Sequence, residues 1–377
     1  MLNRIRSLSK RSAVVSVLLL VAILWAAHWQ YDSYQLSHPN RNHPEMPITT
    51  HMKTICVGRL LIDVPAESTI TMGEFIVDDV SIDVEPNVTQ GQFVQRMRDR
   101  WQEANAWVPD SIDHRYLHKP AERIEPTENG VIFMWGERNI SFDDKRPQYV
   151  HDTEGYLWRD GTLYTFEKDL NSEKNFIAIM KRIRSRPDDV LPTTPGLCNV
   201  ATFIPDDGVW HSDQIRLNID VPSLNTSIGI IVQSIDGAPP ERLLDRMDQR
   251  APIATRELAE WAKNHPGEEY GEMKFRWAHR LVGRWPGDEV IGGGTDNKGR
   301  DGFSTGVTAS WEFPGETRST TMPHIALDMD TNYRTTQPPH PWGSFPKGVA
   351  SGQLTETEFF ALWDKMVDSL RLRPGAV

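Results

Sequence analysis

The five residues Gly302 to Gly306 match G-x-S-x-G, the motif that carries the nucleophilic serine of α/β-hydrolases. Ser304 stands at its centre, and Asp330 and His340 follow in the chain order of a hydrolase triad. In such a triad the histidine accepts the proton of the serine hydroxyl and the acidic residue orients the histidine. The chemistry that these residue types suggest is hydrolysis of an ester.

The surroundings of the motif argue against that chemistry. A hydrolase serine needs a sharp turn from a buried strand into a helix, which exposes its hydroxyl beside backbone N–H donors. Here the glycine-rich polar stretch 292–301 precedes the motif and a strand-like run follows it. We therefore predict a flexible loop entering a hairpin at this motif. An exported serine hydrolase that uses Ser304 is kept as the alternative.

The sequence also predicts no cofactor or metal site. The run Gly292 to Gly294 is not followed by Gly-Lys-Ser/Thr, so it is not a phosphate-binding loop. The twelve histidines include no H-E-x-x-H pattern, and the two cysteines are too few for a four-cysteine zinc site. No catalytic, cofactor-binding or metal-ligating residue is predicted.

Length and charge restrict the class of protein. The 377 residues suit two domains, and 38% hydrophobic with 25% charged residues exclude a polytopic membrane protein and a disordered chain. The formal net charge is −11; residues 1–52 carry five basic and two acidic residues, and the remainder carries 36 and 50. An acidic body repels phosphate backbones, so nucleic acid is not expected as a partner.

The N-terminus has the pattern of an export signal. Basic residues precede an uncharged apolar run from Ala13 to Ala27. We expect residues 1–31 to form an uncleaved signal anchor in the inner membrane, spanning it with 13–29, and 32–52 to form a proline-containing periplasmic tether. A cleaved signal is the alternative, and both place the body in the periplasm.

Beyond the tether, the pattern of elements occurs twice. Each half predicts two strands, a helix, several strands and a closing helix, and each ends in Arg-x-Arg-Pro, at Arg184–Pro187 and Arg371–Pro374. We predict an α+β fold of two similar sheet-plus-helix domains, produced by internal duplication. The predicted bounds are 53–187 for domain I, 188–196 for a linker and 197–377 for domain II.

Particular residues predict where several elements begin and turn. Thr89 is expected to cap a helix with Val94, Met97 and Trp101 inward, and Thr355 with Glu358 to form a capping box. The other expectations are a β run from Phe75 to Val84, a hairpin at Asp160-Gly161, a helix after Ser172, one starting at Pro239 and Pro240, and a separate one over Thr255 to Lys263.

Tryptophan is frequent, with 13 residues. Its large, stiff side chain is enriched at binding hot spots. Trp342, in a proline-rich stretch, and Trp285 are the candidate contacts with a partner protein. Burial in the core is the alternative for most of the tryptophans.

The segment Lys53 to Pro65, which reads Lys-Thr-Ile-Cys-Val-Gly-Arg-Leu-Leu-Ile-Asp-Val-Pro, resembles the opening of the immunity proteins that neutralise type VI secretion lipase effectors, specifically the Tli class cognate to the fourth lipase class. Gly196-Leu197-Cys198 and the two-domain repeat fit that family, so the resemblance covers 53 to about 373. It implies a non-enzyme that grips a phospholipase between two domains in the periplasm and blocks its active site. A cell-envelope ligand-binding or scaffold protein is a further alternative.

Cys56 and Cys198 stand at the starts of the two repeats. In an oxidising periplasm they would form a disulfide that fixes the two domains relative to each other. Two free buried thiols are the alternative.

Overall fold

The structure is a computed structural model that describes residues 30, 33–108, 116–117, 119–140, 148–168, 171–187, 189–265, 270–296, 302–335, 345–346 and 352–377. The proposed membrane-spanning segment 13–29 lies outside these residues. Within them, no helix has the length and apolarity that crossing a bilayer requires.

The described residues include the helices α1 (Pro47–Thr50), α2 (Gln90–Ala106), α3 (Glu173–Arg182), α4 (Leu243–Asn264) and α5 (Glu356–Ser369). The strands of the first half are β1 (Met52–Val57), β2 (Leu60–Pro65), β3 (Thr69–Val77), β4 (Val80–Pro86), β5 (Glu122–Thr127), β6 (Gly130–Asn139), β7 (Tyr149–Arg159), β8 (Thr162–Lys168) and β9 (Arg184–Ser185). Those of the second half are β10 (Gly196–Asn199), β11 (Thr202–Pro205), β12 (Asp213–Val221), β13 (Thr226–Gln233), β14 (Tyr270–Val282), β15 (Trp285–Asp296), β16 (Phe303–Phe313), β17 (His324–Thr335) and β18 (Arg371–Leu372).

One antiparallel sheet of twelve strands runs through both halves. Its order is β14-β15-β16-β17-β13-β12-β3-β4-β8-β7-β6-β5, and the halves join where β12 pairs with β3. Read outward from this junction, the strands of each half follow the same order along the chain. The prediction of two similar α+β domains is confirmed, and the domains share one sheet.

Two small sheets each pair the opening hairpin of one half with the last strand of the other half. The opening hairpin of the first half, β1 and β2, pairs with β18 at the end of the second half. The opening hairpin of the second half, β10 and β11, pairs with β9 at the end of the first. Gly58 and Cys198 join the two hairpins, since each backbone N–H donates to the carbonyl of the other, at 2.7 and 2.9 Å.

The main apolar core lies between one face of the long sheet and the hairpins, α3 and α5. It continues across the junction, with Phe75 of β3 and Ile215 and Leu217 of β12 all buried. A second core lies on the opposite face, where α2 packs Phe93 and Met97 against β6. The strands beneath α2 are therefore covered on both faces.

Several element predictions are confirmed and others are wrong. The capping boxes at Thr89 and Thr355 and the Asp160-Gly161 hairpin are present. The β run Phe75 to Val84 is two strands, because Asp78 and Asp79 turn the chain with positive φ of 49° and 61°. On α2 the side chain that packs inward is Phe93, while Val94 is 48% exposed.

Two further corrections concern the second half. The two helices expected from Pro239 and Thr255 are one helix, α4, which begins at Leu243. The stretch Gly292 to Gly294, expected in a mobile loop, lies inside β15. A Cβ on Gly293 would stand 2.1 Å from the carbonyl oxygen of Gly306, so a glycine is needed where these strands approach.

The segment expected to be a free tether is packed on the second half from residue 40 onward. Arg41 Nη2 lies 2.8 Å from Glu289 Oε2, and His43 Nε2 lies 2.9 Å from Asp364 Oδ2. Helix α1 contacts α5. Residues 40–50 are therefore part of the folded body, contrary to the expectation of a solvated linker.

Candidate functional site

The structure separates the residues of the hydrolase motif. Ser304 is the second residue of β16 and pairs across strands with Arg334, so its hydroxyl is on an extended strand and not on a sharp turn. Asp330 accepts a hydrogen bond from Thr308 Oγ1 at 2.6 Å, four residues along β16 from Ser304. That offset is about 13 Å at the rise of a strand. His340 lies outside the described residues, and the described ones do not assemble a triad.

Cys56 and Cys198 are joined by a disulfide in this structure, with their Cα atoms 5.9 Å apart. Both are buried between the two opening hairpins. The bond crosses between the halves on the side of the hairpins, away from α2 and α4.

The structure describes one of the two tryptophans predicted as partner contacts. Trp342 lies outside the described residues. Trp285 is 1% exposed, and its indole N–H donates to the carbonyl of Thr321 at 3.0 Å. Trp285 is a core residue here and offers no contact surface.

The surface best suited to bind a partner is the part of the long sheet that faces away from the main core. Strands β3, β12, β13, β17 and β16 alternate apolar residues toward the core with polar ones outward. We call their outward surface the central face; its residues are Thr69, Thr71, Glu74, Arg216, Asn218, Asp220, Ser227, Gly229, Ser304, Thr308, Ser310, Asp328, Asp330, Asn332 and Arg334.

Helices α2 and α4 lie on the same side of the sheet as the central face, one at each end. Cross-strand partners share a face, and the registers carry this face from Asp220 to Ser227, Asp330, Thr308 and Gly292. Gly292 and Thr308 line the groove beneath α4. At the other end, α2 packs over Phe133 and its neighbours on that same face. Helices α2 and α4 thus border the exposed, polar central face.

Each bordering helix is attached by two arginines one turn apart. On α2, Arg96 donates to Glu85 and Arg100 donates to Glu154, at 3.0 and 2.6 Å. At α4, Arg242 donates to Asp288 at 3.1 Å, and Arg246 donates to Glu312 at 2.8 Å.

These pairs set the charge state of the carboxylates beneath. Burial opposes ionisation of Glu312, but hydrogen bonds from Arg246 and His324 outweigh it and lower the pKa of Glu312 to about 2. The pKa of Asp288 is lowered in the same way, since Arg242 and His279 offset its burial. Both carboxylates are therefore ionised at neutral pH.

The carboxylates of the central face form no ion pair with a described arginine, although Arg216 and Arg334 lie on the same face and the positive charge of Arg216 acts to lower the pKa of Asp328. Burial, with repulsion from Asp330 and Glu312, raises the pKa of Asp328, although Ser310 Oγ donates to it at 2.6 Å. Asp220 and Asp330 are exposed and make no ion pair with any described residue. The central face is therefore acidic.

A groove of about 450 Å³ lies under α4 and adjoins the central face. Met247 of α4 and Met273, Trp277 and Val290 of the sheet supply its apolar surface. It is continuous with the central face, since Thr308 and Ser310 belong to both. The site thus combines polar, acidic and apolar areas, as a protein interface requires.

Behind the sheet, a buried ion network fixes α5. Asp364 of α5 accepts from Arg276 Nη1 and from Arg280 Nη1, both at 2.7 Å, and Trp363 Nε1 donates to Glu289 at 2.8 Å. Burial alone would raise the pKa of Glu289, but Arg280, Arg276 and Arg41 hold it below its usual value. The network is a structural support on the opposite side of the sheet from the central face.

Sequence reasoning missed the central face and the network. The signal for the face was the alternation of Arg216, Asn218 and Asp220 with buried Ile215, Leu217 and Ile219. It identifies a strand with one polar side, but not whether a helix covers that side. The network joins residues more than 80 positions apart, which no local pattern reveals.

The profile of the Tle cognate immunity protein 4 N-terminal domain matches residues 53–195, and that of the C-terminal domain matches 190–375. No curated protein sequence matches significantly.

Similar solved structures are a Tle4-Tli4 complex, at 20% identity and TM-score 0.64, and the apo immunity protein TplEi of the type VI secretion system of Pseudomonas aeruginosa, at 20% and 0.62. Each alignment covers 86% of this chain, and 99% and 98% of the respective neighbour. TplEi bound to a peptide called "L" is also similar, at 21% and 0.59. These likenesses show a shared fold.

Proposed function

Because the chain belongs to the Tle cognate immunity protein 4 family, we propose that it binds a cognate type VI lipase effector and blocks access to the effector's active site, holding it between the two bordering helices. One observation carries this proposal: the central face is polar and exposed, whereas the strands beneath α2 and α4 and the opposite face of the sheet pack against other elements. A partner inserted between α2 and α4 would cover that face. A neighbour of the same fold was solved as a Tle4-Tli4 complex.

We propose that inhibition needs no catalysis by this chain. Its support is the strand position of Ser304, which provides neither a turn nor an adjacent helix N-terminus. The test is Ser304→Ala, which should protect a cell against the effector as well as the unchanged chain does. Loss of protection in a folded Ser304→Ala protein would instead favour the hydrolase alternative.

We also propose that the body works in the periplasm, anchored in the inner membrane by residues 13–29 or released after signal cleavage. The basic N-terminus and the apolar run support export, and a disulfide suits an oxidising compartment. An alkaline phosphatase fused after Val377 should be active in cells, and the chain should fractionate with membranes if the anchor is retained. An inactive fusion would contradict export.

The experiment for binding uses a type VI lipase effector of the Tle4 class. The two proteins are co-expressed with a tag on one only, and lipase activity is measured on phosphatidylethanolamine vesicles. We expect co-purification and loss of activity. Separate elution with full activity would contradict the proposed function for that partner.

A further inference from the structure

On this side of the sheet, two pairs of carboxylates lie beneath a helix. Glu85 and Glu154 lie under α2, and Asp288 and Glu312 lie under α4. Each pair receives two arginines four residues apart, Arg96 and Arg100 on α2, and Arg242 just before the first residue of α4 with Arg246 on α4. In both halves, therefore, carboxylates of the sheet pair with arginines of the helix that packs on them.

The central face carries similar carboxylates, and no helix of the described residues lies over them. Asp220 and Asp330 stand in one cross-strand row, separated by Ser227. Asp328 lies two residues from Asp330 on β17, about 7 Å away at the rise of a strand. Residues one turn apart on a helix rise about 6 Å. The spacing of these carboxylates therefore matches the spacing of the arginines that cover the other acidic positions.

The floor between these carboxylates is open. Gly229 lies beside Asp328 in the cross-strand register, and a Cβ built on Gly229 meets no heavy atom within 4 Å. Ser227 is exposed. Long cationic side chains can therefore reach Asp220, Asp328 and Asp330 from above without moving the sheet.

We propose that the central face is the seat of a basic helix of the lipase effector, whose arginines or lysines, one turn apart, pair with Asp220, Asp328 and Asp330. This rests on the proposed function and adds the chemistry of the partner's surface. The effector helix would take the place between α2 and α4 and complete the layer of helices on this side. Apolar side chains of the effector would enter the adjoining groove beside Met247 and Trp277.

The test compares full-length chains that differ only in where charge is reversed. The double variant Asp220→Lys with Asp330→Lys reverses two charges on the central face. The control Glu67→Lys with Asp189→Lys reverses two exposed acidic residues outside it. Dissociation constants for a type VI lipase effector of the Tle4 class are measured at low and high salt, and circular dichroism monitors folding. The neutral variant Asp220→Asn with Asp330→Asn serves if the lysine variant does not fold.

We expect the central-face reversal to weaken binding at least about 100-fold, since like charges brought together at an interface are strongly unfavourable. The control should bind within about threefold of the unchanged chain. The asparagine variant should bind more weakly and with a smaller salt dependence. If the unchanged chain binds and every variant binds as well, this inference is overturned while the proposed function stands. If the unchanged chain does not bind, the proposed function fails.

Discussion

Arg186 and Arg373 occupy equivalent positions at the ends of the two halves, and backbone carbonyls surround both guanidinium groups. Arg186 donates to the carbonyls of Val190 and Asn199 at 2.8 and 2.9 Å. Arg373 donates to those of Thr194 and Gly196 at 3.0 and 2.9 Å. Both are buried. The repeated Arg-x-Arg-Pro thus holds the linker and the start of the hairpin of β10 and β11 against the ends of the two halves.

Replacing Arg373 by Met should lower the free energy of unfolding by about 3 kcal/mol, because buried carbonyls lose their donors. Arg371→Met is the matched control, since Arg371 is exposed and its ion pair with Asp63 should contribute under about 1 kcal/mol. Urea unfolding of the oxidised proteins measures both. Equal, small effects would show that the guanidinium of Arg373 does not support the closure.

The disulfide should stabilise the folded chain by about 2 to 4 kcal/mol, because it closes a long loop. Its cysteines are separated by 142 positions. Dithiothreitol, or Cys56→Ala with Cys198→Ala, should lower the urea midpoint. Alkylation under denaturing conditions should label two thiols only after reduction. Two labelled thiols without reductant would exclude the bond.

Residues 38–50 should stabilise the second half. A chain that begins at His51 loses the pairing of Arg41 with Glu289 and of His43 with Asp364. Because Glu289 and Asp364 are buried, we expect a cost of about 1 to 3 kcal/mol relative to a chain that begins at His38. Thermal unfolding compares the two. Identical midpoints would mean that this segment is only a tether.

Glu312 should make the attachment of α4 sensitive to acid. Its pKa is about 2 in the fold, below the usual 4.5, so its stabilisation is present above about pH 4.5 and is lost as the pH falls from there toward 2. Glu312→Gln should cost up to about 3 kcal/mol at pH 7. The difference between the two proteins should shrink below pH 4.5. A cost independent of pH would assign the effect to packing instead.

Sequence patterns predicted both capping boxes and the alternation of strand and helix regions in each half, because caps and alternation are local, but they predicted β3 and β4 as one strand and α4 as two helices. Thr89 and Thr355 each specify a helix start within four residues. The crosswise hairpins were not predictable, since β18 and β2 pair over more than 300 positions. Gly292 to Gly294 misled because a glycine run is typical of a loop, whereas here glycine admits close strand neighbours.

The candidate site was predictable only as a class of partner. The Cys-Val-Gly-Arg segment indicated the family, and the family indicated the partner. The acidic row of Asp220, Asp328 and Asp330 depends on the cross-strand register, which joins β12, β13 and β17 and is absent from any single segment. Whether a helix covers a sheet face is likewise a tertiary property.

The central claim is that this chain inhibits a type VI lipase effector by binding it. The most direct measurement is a titration of a purified type VI lipase effector of the Tle4 class with the purified chain, with hydrolysis of phosphatidylethanolamine vesicles as the readout. We predict that activity falls linearly and reaches zero at one chain per effector. Activity that stays undiminished at a tenfold excess of the chain, with no complex on size-exclusion chromatography, would contradict the account.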